Sequence, residues 1–255
     1  MEIQEYQAMA RLESTLWWFH ALHDKVLNSL GQLRDRRASL ALLDAGCGTG
    51  GLLKQLEIDF PVWALHGIDA SDYAVSIAHK TSRARILQGS VTGMPYEPGY
   101  FDVIVSLDVM YHQRVDPQRM LAECARILRP GGLLILNLPA YEWLRSYHDE
   151  HVQTARRYTL ASLATAMAKH PFQRLYGTYW NAALFLPLVI KRKLLPTKHE
   201  GSDVAEIPPW LNRIFYAVAS VENRLICRGI RLPFGSSVFA VYQKTVWSHE
   251  MDIRL

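Results

Sequence analysis

The amino-acid sequence predicts an α/β fold built on a doubly wound, mostly parallel sheet. From residue 40 onward, short near-continuous apolar runs alternate with amphipathic helical stretches, the pattern of strands buried on both faces by crossover helices. The first of these runs passes directly into glycines at alternate positions, Gly46, Gly48 and Gly50. The 255 residues are 49% apolar and 20% charged, enough for one α/β core with added elements.

Each element follows in order. Leu12, Leu16, Phe19, His23, Val26 and Leu30 recur at three- and four-residue steps and predict one N-terminal helix. Leu40–Leu43 is a first strand and Val62–Ile68, ending in Asp69, a second. Ser71 suits the cap of a helix over Asp72–Lys80. Arg85–Gln88 and Phe101–Leu107 are the third and fourth strands. Asp116-Pro117 opens a helix with a capping carboxylate and a first-turn proline, and Met120, Leu121, Cys124, Ile127 and Leu128 give its apolar face. Arg129-Pro130-Gly131-Gly132 stops it, and Leu133–Leu138 is the fifth strand. The strict strand-helix order implies right-handed crossovers. A helix over Leu160–Lys169, a sixth strand over Arg174–Tyr179 and a last strand over Val238–Gln243 complete the core. Between the last two strands lies a long insertion. It carries the apolar run Ala182–Ile190, the basic cluster Lys191, Arg192 and Lys193, and an amphipathic helix with Leu211, Ile214, Phe215, Val218, Val221 and Leu225. No linker splits the chain. It reads as one domain with a helical cap over 1–38, a core over 39–180, an insertion or lid over 181–235, and a last strand and tail over 236–255.

A formal net charge of +4 falls short of a nucleic-acid footprint, with no dense Lys/Arg stripe interleaved with aromatics. It is compatible with an anionic membrane surface. Cys47, Cys124 and Cys227 form no CxxC pair and no zinc-like spacing, so a reducing, cytoplasmic setting and no metal site are expected. The N-terminus shows no secretory pattern, and the run ending at Ile190, broken by Pro187, is too short to span a bilayer.

A strand that runs into glycines lets a ligand approach the backbone, because no Cβ stands in the way. The spacing here is G-x-G-x-G after Asp44, distinct from the G-x-G-x-x-G of dinucleotide sites. Asp69, nineteen positions after Gly50, suits a carboxylate that accepts from ribose hydroxyls.

Leu42-Leu43-Asp44-Ala45-Gly46-Cys47-Gly48-Thr49-Gly50 resembles motif I of class I S-adenosylmethionine (SAM)-dependent methyltransferases. Gly67-Ile68-Asp69-Ala70-Ser71 resembles their motif II, and Phe101–Val105 and Ile127–Gly132 resemble the two later motifs. The resemblance covers residues 39–140 and is to small-molecule methyltransferases of the type 11/12 kind. It implies a Rossmann-like, seven-stranded sheet, mostly parallel with an antiparallel last strand. It also implies SAM as methyl donor and S-adenosylhomocysteine as product. The loop of Gly46, Cys47, Gly48 and Gly50 would hold the methionine part, Asp44 would orient that loop and its polar contacts, and Asp69 would bind the ribose, with Ala70 also among the cofactor-binding residues. Leu107 and Asp108 would lie beside the cofactor. The third strand departs from the family pattern. Where an acidic residue often meets adenine, this chain has Gly89-Ser90-Val91, leaving Ser90 and the Val91 backbone for that contact.

Chemistry in such sheets occurs at the carboxyl ends of the strands, and a hydroxyl nucleophile benefits from a base near neutral pKa. His112, after the fourth strand, and His148, after the fifth, are the candidate bases, with Asp149 an orienting partner. Trp18, Tyr111, Tyr141, Tyr147 and Arg157 are expected at the acceptor. Leu16-Trp17-Trp18-Phe19 and the His148-Asp149-Glu150…Arg156-Arg157-Tyr158 segment resemble a bacterial subgroup associated with lipids, polyenes, glycans and secondary metabolites. Trp17 and Phe19 read first as core packing, with a lid over the cofactor and an apolar substrate as the functional alternative. The insertion reads as a lid or homodimer contact, or as an interfacial helix peripheral to the inner membrane surface. The expected activity is O-methylation of a hydrophobic, aromatic or polyene-like small molecule in secondary metabolism. A lipid-linked or quinone-like acceptor and a non-catalytic SAM-binding protein are the alternatives.

Overall fold

A computed structural model of the chain describes residues 3–146, 149–150, 152–193 and 207–245. The elements are α1 (Ile3–Leu12), α2 (Trp17–Leu33), β1 (Ala41–Ala45), α3 (Gly51–Asp59), β2 (Ala64–Asp69), α4 (Asp72–Thr81), β3 (Arg85–Gln88), β4 (Phe101–Leu107), α5 (Pro117–Ile127), β5 (Leu128–Pro139), α6 (Leu160–Met167), β6 (Phe172–Trp180), α7 (Phe185–Lys193), α8 (Pro209–Cys227) and β7 (Ser237–Lys244). They form one seven-stranded sheet in the order β3-β2-β1-β4-β5-β7-β6. The pairs from β3 to β5 are parallel, and β7 runs antiparallel to both β5 and β6. The α/β, mostly parallel architecture with a reversed last strand is thus as expected.

Strand periodicity divides the core. Leu42, Val103, Val105, Leu133, Ile135, Phe239 and Val241 face α2, α3 and α8. Their neighbours Leu43, Ile104, Leu134, Leu136, Val238 and Ala240 face α5 and α6. The caps follow the sequence. The Asp116 carboxylate accepts from Gln118 N (2.8 Å) and Arg119 N (3.2 Å), and Ser71 Oγ accepts from Ala74 N (3.3 Å).

Three expectations are corrected. The N-terminal periodicity spans two helices, because Leu16 is extended (φ −76°, ψ 130°) and ends the first run. No helix joins β3 to β4; residues 89–100 hold two prolines and three glycines, which break helices. The glycine turn leads into α3, the helix that the strand-helix order requires between the first two strands. Finally, Arg129–Gly132 not only stops α5 but lies within β5. Phe101 pairs with Leu128, then Val103 with Leu133, across a bulge.

The strand order reverses between β1 and β4. A crevice opens at such a switch point, beyond the carboxyl ends of the strands. The insertion closes it from the far side. α8 packs on α2 through the edge-to-face pair Trp17–Phe215, centroids 5.6 Å apart. Asn212 Oδ1 accepts from Trp17 N (2.8 Å), and Asn223 Nδ2 donates to Ala21 O (2.7 Å). Glu222 on α8 is buried and accepts from the backbone N–H groups of Asn181, Ala182 and Ala183 just before α7.

Candidate functional site

A cavity of about 830 Å³ occupies that crevice, within the size of small-molecule sites. One end is built by the β1–α3 turn. Gly46, Gly48 and Gly50 have φ of +91°, +52° and +87°, a region that favours glycine. A Cβ at Gly46 would run into Val109 Cγ2, so the backbone there stays open to the cavity only as glycine. Gly46 N and Cys47 N donate to Ile68 O (2.8 and 3.0 Å), and Gly48 N donates to Asp69 Oδ2 (3.0 Å). Asp69 Oδ1 accepts from Ser71 N (2.9 Å) and from the Tyr6 hydroxyl (3.2 Å). β2 and the glycine turn therefore fix one another through a single carboxylate.

This end of the cavity is acidic. Asp44, Asp69 and Glu13 all line it. Glu13 lies in the break between α1 and α2 and accepts from Thr49 Oγ1. Burial, then the charges of Glu13 and Asp69, push the Asp44 carboxyl well above its ordinary range. Burial likewise raises Glu13. Such a site attracts a cation and repels an anion. It fits the sulfonium and ammonium charges of SAM and opposes the pyrophosphate of a dinucleotide.

The middle of the cavity is set by the end of β4. Asp108 turns back with φ +55°, its N–H bonded to Asn137 O (2.9 Å) and its Oδ2 accepting from Asn137 Nδ2 (2.9 Å). Asn137 Oδ1 accepts in turn from Trp180 Nε1 (2.6 Å), and Trp180 stacks on Trp18 with centroids 6.2 Å apart. Burial raises the Asp108 carboxyl to about 7, against the pull of Asn137 and Arg157. His112 also lines the cavity; its Nδ1 accepts from Arg114 N (3.2 Å), and burial lowers the imidazole to about 4.

The other expected residues divide. Cys47, Ala70, Ser90, Val91, Leu107, Trp18 and Tyr111 line the cavity. Ser90 Oγ is shared with Thr92 Oγ1 (2.8 Å) and Thr92 N (3.2 Å). Gly50 is set back from the cavity and packs on Ala78 at the start of α3. Asp149 and Arg157 line it as a pair. Arg157 Nε and Nη2 fork onto the two Asp149 oxygens (2.8 and 2.9 Å), Arg157 Nη1 reaches Ala140 O (2.9 Å), and Asp149 also accepts from Ser146 N (2.8 Å). Tyr141 is not on the cavity wall: its ring stacks on Tyr179 (5.1 Å) and meets Phe185 (5.8 Å). Tyr147 and His148 lie outside the described residues.

Several residues escaped the sequence reading. Tyr6, Met9 and Glu13 come from α1 and the break after it, and Asn181 from the start of the insertion; Leu184, Pro187, Leu188 and Phe215 belong to the insertion expected as a lid. Only the polar Tyr6 and Glu13 in an otherwise helical stretch hinted at them.

Residues 43–136 match the family model described as a methyltransferase domain. That stretch, which holds the glycine turn, β2 and β4, is thus similar to a methyltransferase domain. Over 129 residues it is 30% identical to malonyl-[acyl-carrier protein] O-methyltransferase 1 of Coxiella burnetii, covering 51% of this chain and 43% of that protein. Over 149 residues it is 31% identical to the ubiquinone biosynthesis O-methyltransferase of Pseudomonas paraeruginosa, covering 53% of this chain and 61% of that protein. It is also 30% identical over 145 residues to the tRNA methyltransferase 9B of Mus musculus, so named as probable, covering 56% and 31%. The chain thus spans between about a third and three-fifths of these relatives. Among solved structures, the methyltransferase in complex with the Haloferax volcanii Trm112 activator aligns over 97% of this chain and 98% of its own, with TM-score 0.64 and 19% identity. A geranyl diphosphate methyltransferase aligns over 89% and 77%, with TM-score 0.60 and 17% identity. These two likenesses speak for the fold.

Proposed function

We propose that this protein transfers the methyl group of SAM to the hydroxyl of a hydrophobic, aromatic or polyene-like small molecule. SAM supplies an electrophilic methyl on a sulfonium; the chain supplies position, an apolar enclosure and a proton acceptor. The observation that carries the reading is the polarity gradient of the cavity. Three carboxylates gather at the glycine turn, and Trp18, Tyr111, Leu184, Leu188 and Phe215 supply apolar surface to the rest of the wall. A cationic donor suits the first part and an apolar acceptor the second. Much of the rate advantage then comes from holding two reactants in line.

Asp108 is the proton acceptor in this reading. It lines the cavity, and a pKa of about 7 is near the optimum for a base at neutral pH. His112, neutral but lowered to about 4, is too weak a base for the task. The Asp149–Arg157 pair pins the loop that walls the acceptor. The test is turnover of SAM with a panel of phenols and long-chain enols, read by mass spectrometry. Methylated product from hydrophobic hydroxylated acceptors supports the reading. SAM binding with no product from any acceptor class favours a non-catalytic SAM-binding protein.

A second reading, a quinone-like or lipid-linked acceptor at the membrane surface, is favoured by two observations. The ubiquinone biosynthesis O-methyltransferases are among the relatives, and the insertion exposes large apolar side chains beside the cavity wall. Turnover that rises when the acceptor is presented in vesicles separates it from a freely soluble acceptor.

A further inference from the structure

α8 has two opposite faces. Its inner face, with Ala219, Glu222, Asn223 and Ile226, is buried against the domain. Its outer face repeats at three- and four-residue steps and is exposed from end to end. Trp210 (63%), Ile214 (49%) and Val221 (56%) form an apolar stripe there. Arg213 and Arg224, with Arg228 just past the helix end, flank the stripe and are also exposed. The helix holds one acidic residue, Glu222. It is 6% exposed, and its carboxylate is taken up by the N–H groups of Asn181, Ala182 and Ala183. The nearby Asp24 of α2 accepts the Tyr216 hydroxyl (2.7 Å). The outer face is therefore apolar and cationic, with no exposed carboxylate of its own helix to offset it.

We infer that the outer face of α8 is a docking surface for an anionic lipid bilayer, with the helix lying in the interface plane. Leu, Ile, Val and Trp side chains in the acyl boundary and arginines at the headgroups are what such a helix requires. α7 extends the same chemistry: Leu186 is 65% exposed, while its neighbours Leu184, Pro187 and Leu188 line the cavity. Both helices of the insertion thus have apolar residues in the cavity wall and apolar residues in the open. An acceptor dissolved in the bilayer would reach the site past apolar side chains. A second copy of this chain fits the face less well. A two-fold contact repeats the same patch on both sides, and here it would set arginines against arginines.

The inference gives the membrane reading of the acceptor a physical surface, but vesicle binding is measured apart from SAM binding, so either can fail alone. The experiment is flotation of the full chain with phosphatidylcholine vesicles, with and without phosphatidylglycerol, at low and high salt. Binding that needs the anionic lipid and weakens with salt is expected. Arg213→Gln, Arg224→Gln and Arg228→Gln together lower the partition coefficient on the order of a hundredfold, and Trp210→Ala lowers it in the absence of any charge change. These positions lie outside the SAM site, so calorimetric SAM affinity and melting temperature stay at the wild-type values and report on folding. No flotation of the wild-type chain with anionic vesicles, or full flotation of the triple variant, overturns the inference. So does a dimer by light scattering that Trp210→Ala dissociates, because a second copy then occupies the face.

Discussion

Asp108→Asn separates the electrostatics of the site from its shape. Asparagine is nearly isosteric and still accepts from Asn137 Nδ2, but it cannot ionise. In the folded protein burial raises the Asp108 carboxyl from its ordinary 3.8 to about 7. The folded state therefore keeps a proton that the unfolded chain releases. Below pH 3.8 both states are protonated and ionisation costs no stability. Between 3.8 and about 7 the stability falls with rising pH, and above that the whole displacement, ~4 kcal/mol at ~1.4 kcal/mol per tenfold, is lost. The variant has no such slope, so its advantage over the wild type grows by ~2–3 kcal/mol between about pH 5 and about pH 8. Urea titrations of the SAM-free protein at these two pH values measure it. The catalytic counterpart has the opposite sign. Wild-type kcat/KM rises with pH through about 7 as the carboxylate forms, and the variant loses that limb together with on the order of a hundredfold in rate. Parallel stability curves for the two proteins would refute the buried-carboxylate reasoning. An unchanged kinetic limb in Asp108→Asn would refute its role as base.

Other perturbations have equally definite outcomes. Gly46→Ala places a Cβ against Val109 on a backbone at φ +91°; it costs ~1–3 kcal/mol by thermal melting and abolishes SAM binding by calorimetry. His112→Ala leaves turnover within ~threefold and keeps the pH limb, because an imidazole at about 4 is a poor base at neutral pH. Trp180→Phe removes the donor to Asn137 Oδ1, leaves a buried acceptor unpaired at ~1–3 kcal/mol, and moves the Asp108 limb to higher pH as Asn137 loosens its hold. Arg157→Ala removes the charged partner of the buried Asp149 carboxylate, which keeps the Ser146 N–H, and lowers stability by ~3–5 kcal/mol, read by chemical denaturation.

The legible parts of this chain were those where local chemistry and global fold agree. Phe101–Leu107 is buried on both faces and reads as a strand in any context, and its bounds match β4 to the residue. Asp116-Pro117 opens α5 with the predicted carboxylate-to-backbone cap. The glycine turn was legible because φ > 0 at alternate positions leaves few other residues possible. What stayed hidden depends on contacts between distant segments. Leu16 fits the helical period, yet its extended backbone breaks the helix, and Asn212, 196 residues away, accepts its neighbour Trp17 N. Tyr141 carries the composition of an acceptor residue, but φ +56° turns it toward Tyr179 and Phe185, away from the cavity. Asp149 and Arg157 were each assigned to the site singly; only the fold brings them together as a forked ion pair that satisfies both.

The break between α1 and α2 explains why the cofactor end is acidic in excess of its motifs. Motifs alone bring Asp44 and Asp69 to one place. A continuous helix over residues 3–33 would carry Glu13 along its own ladder. Interrupting it at Leu16 frees the turn to set Glu13 against Thr49, next to the glycine loop. Glu13 adds to the cost of ionising Asp44, whose carboxyl is pushed up by burial first and then by the charges of Glu13 and Asp69. The SAM-free protein is therefore less stable at neutral pH than it would be with neutral residues there. A ligand that brings positive charge relieves the repulsion and draws Asp44 and Glu13 toward their ionised forms, so its affinity increases as pH rises through their raised values. Sinefungin-like amines and SAM share that benefit; an anionic dinucleotide meets the repulsion in full. Selection of the donor thus rests on the summed charge of three side chains as much as on the shape of the glycine turn.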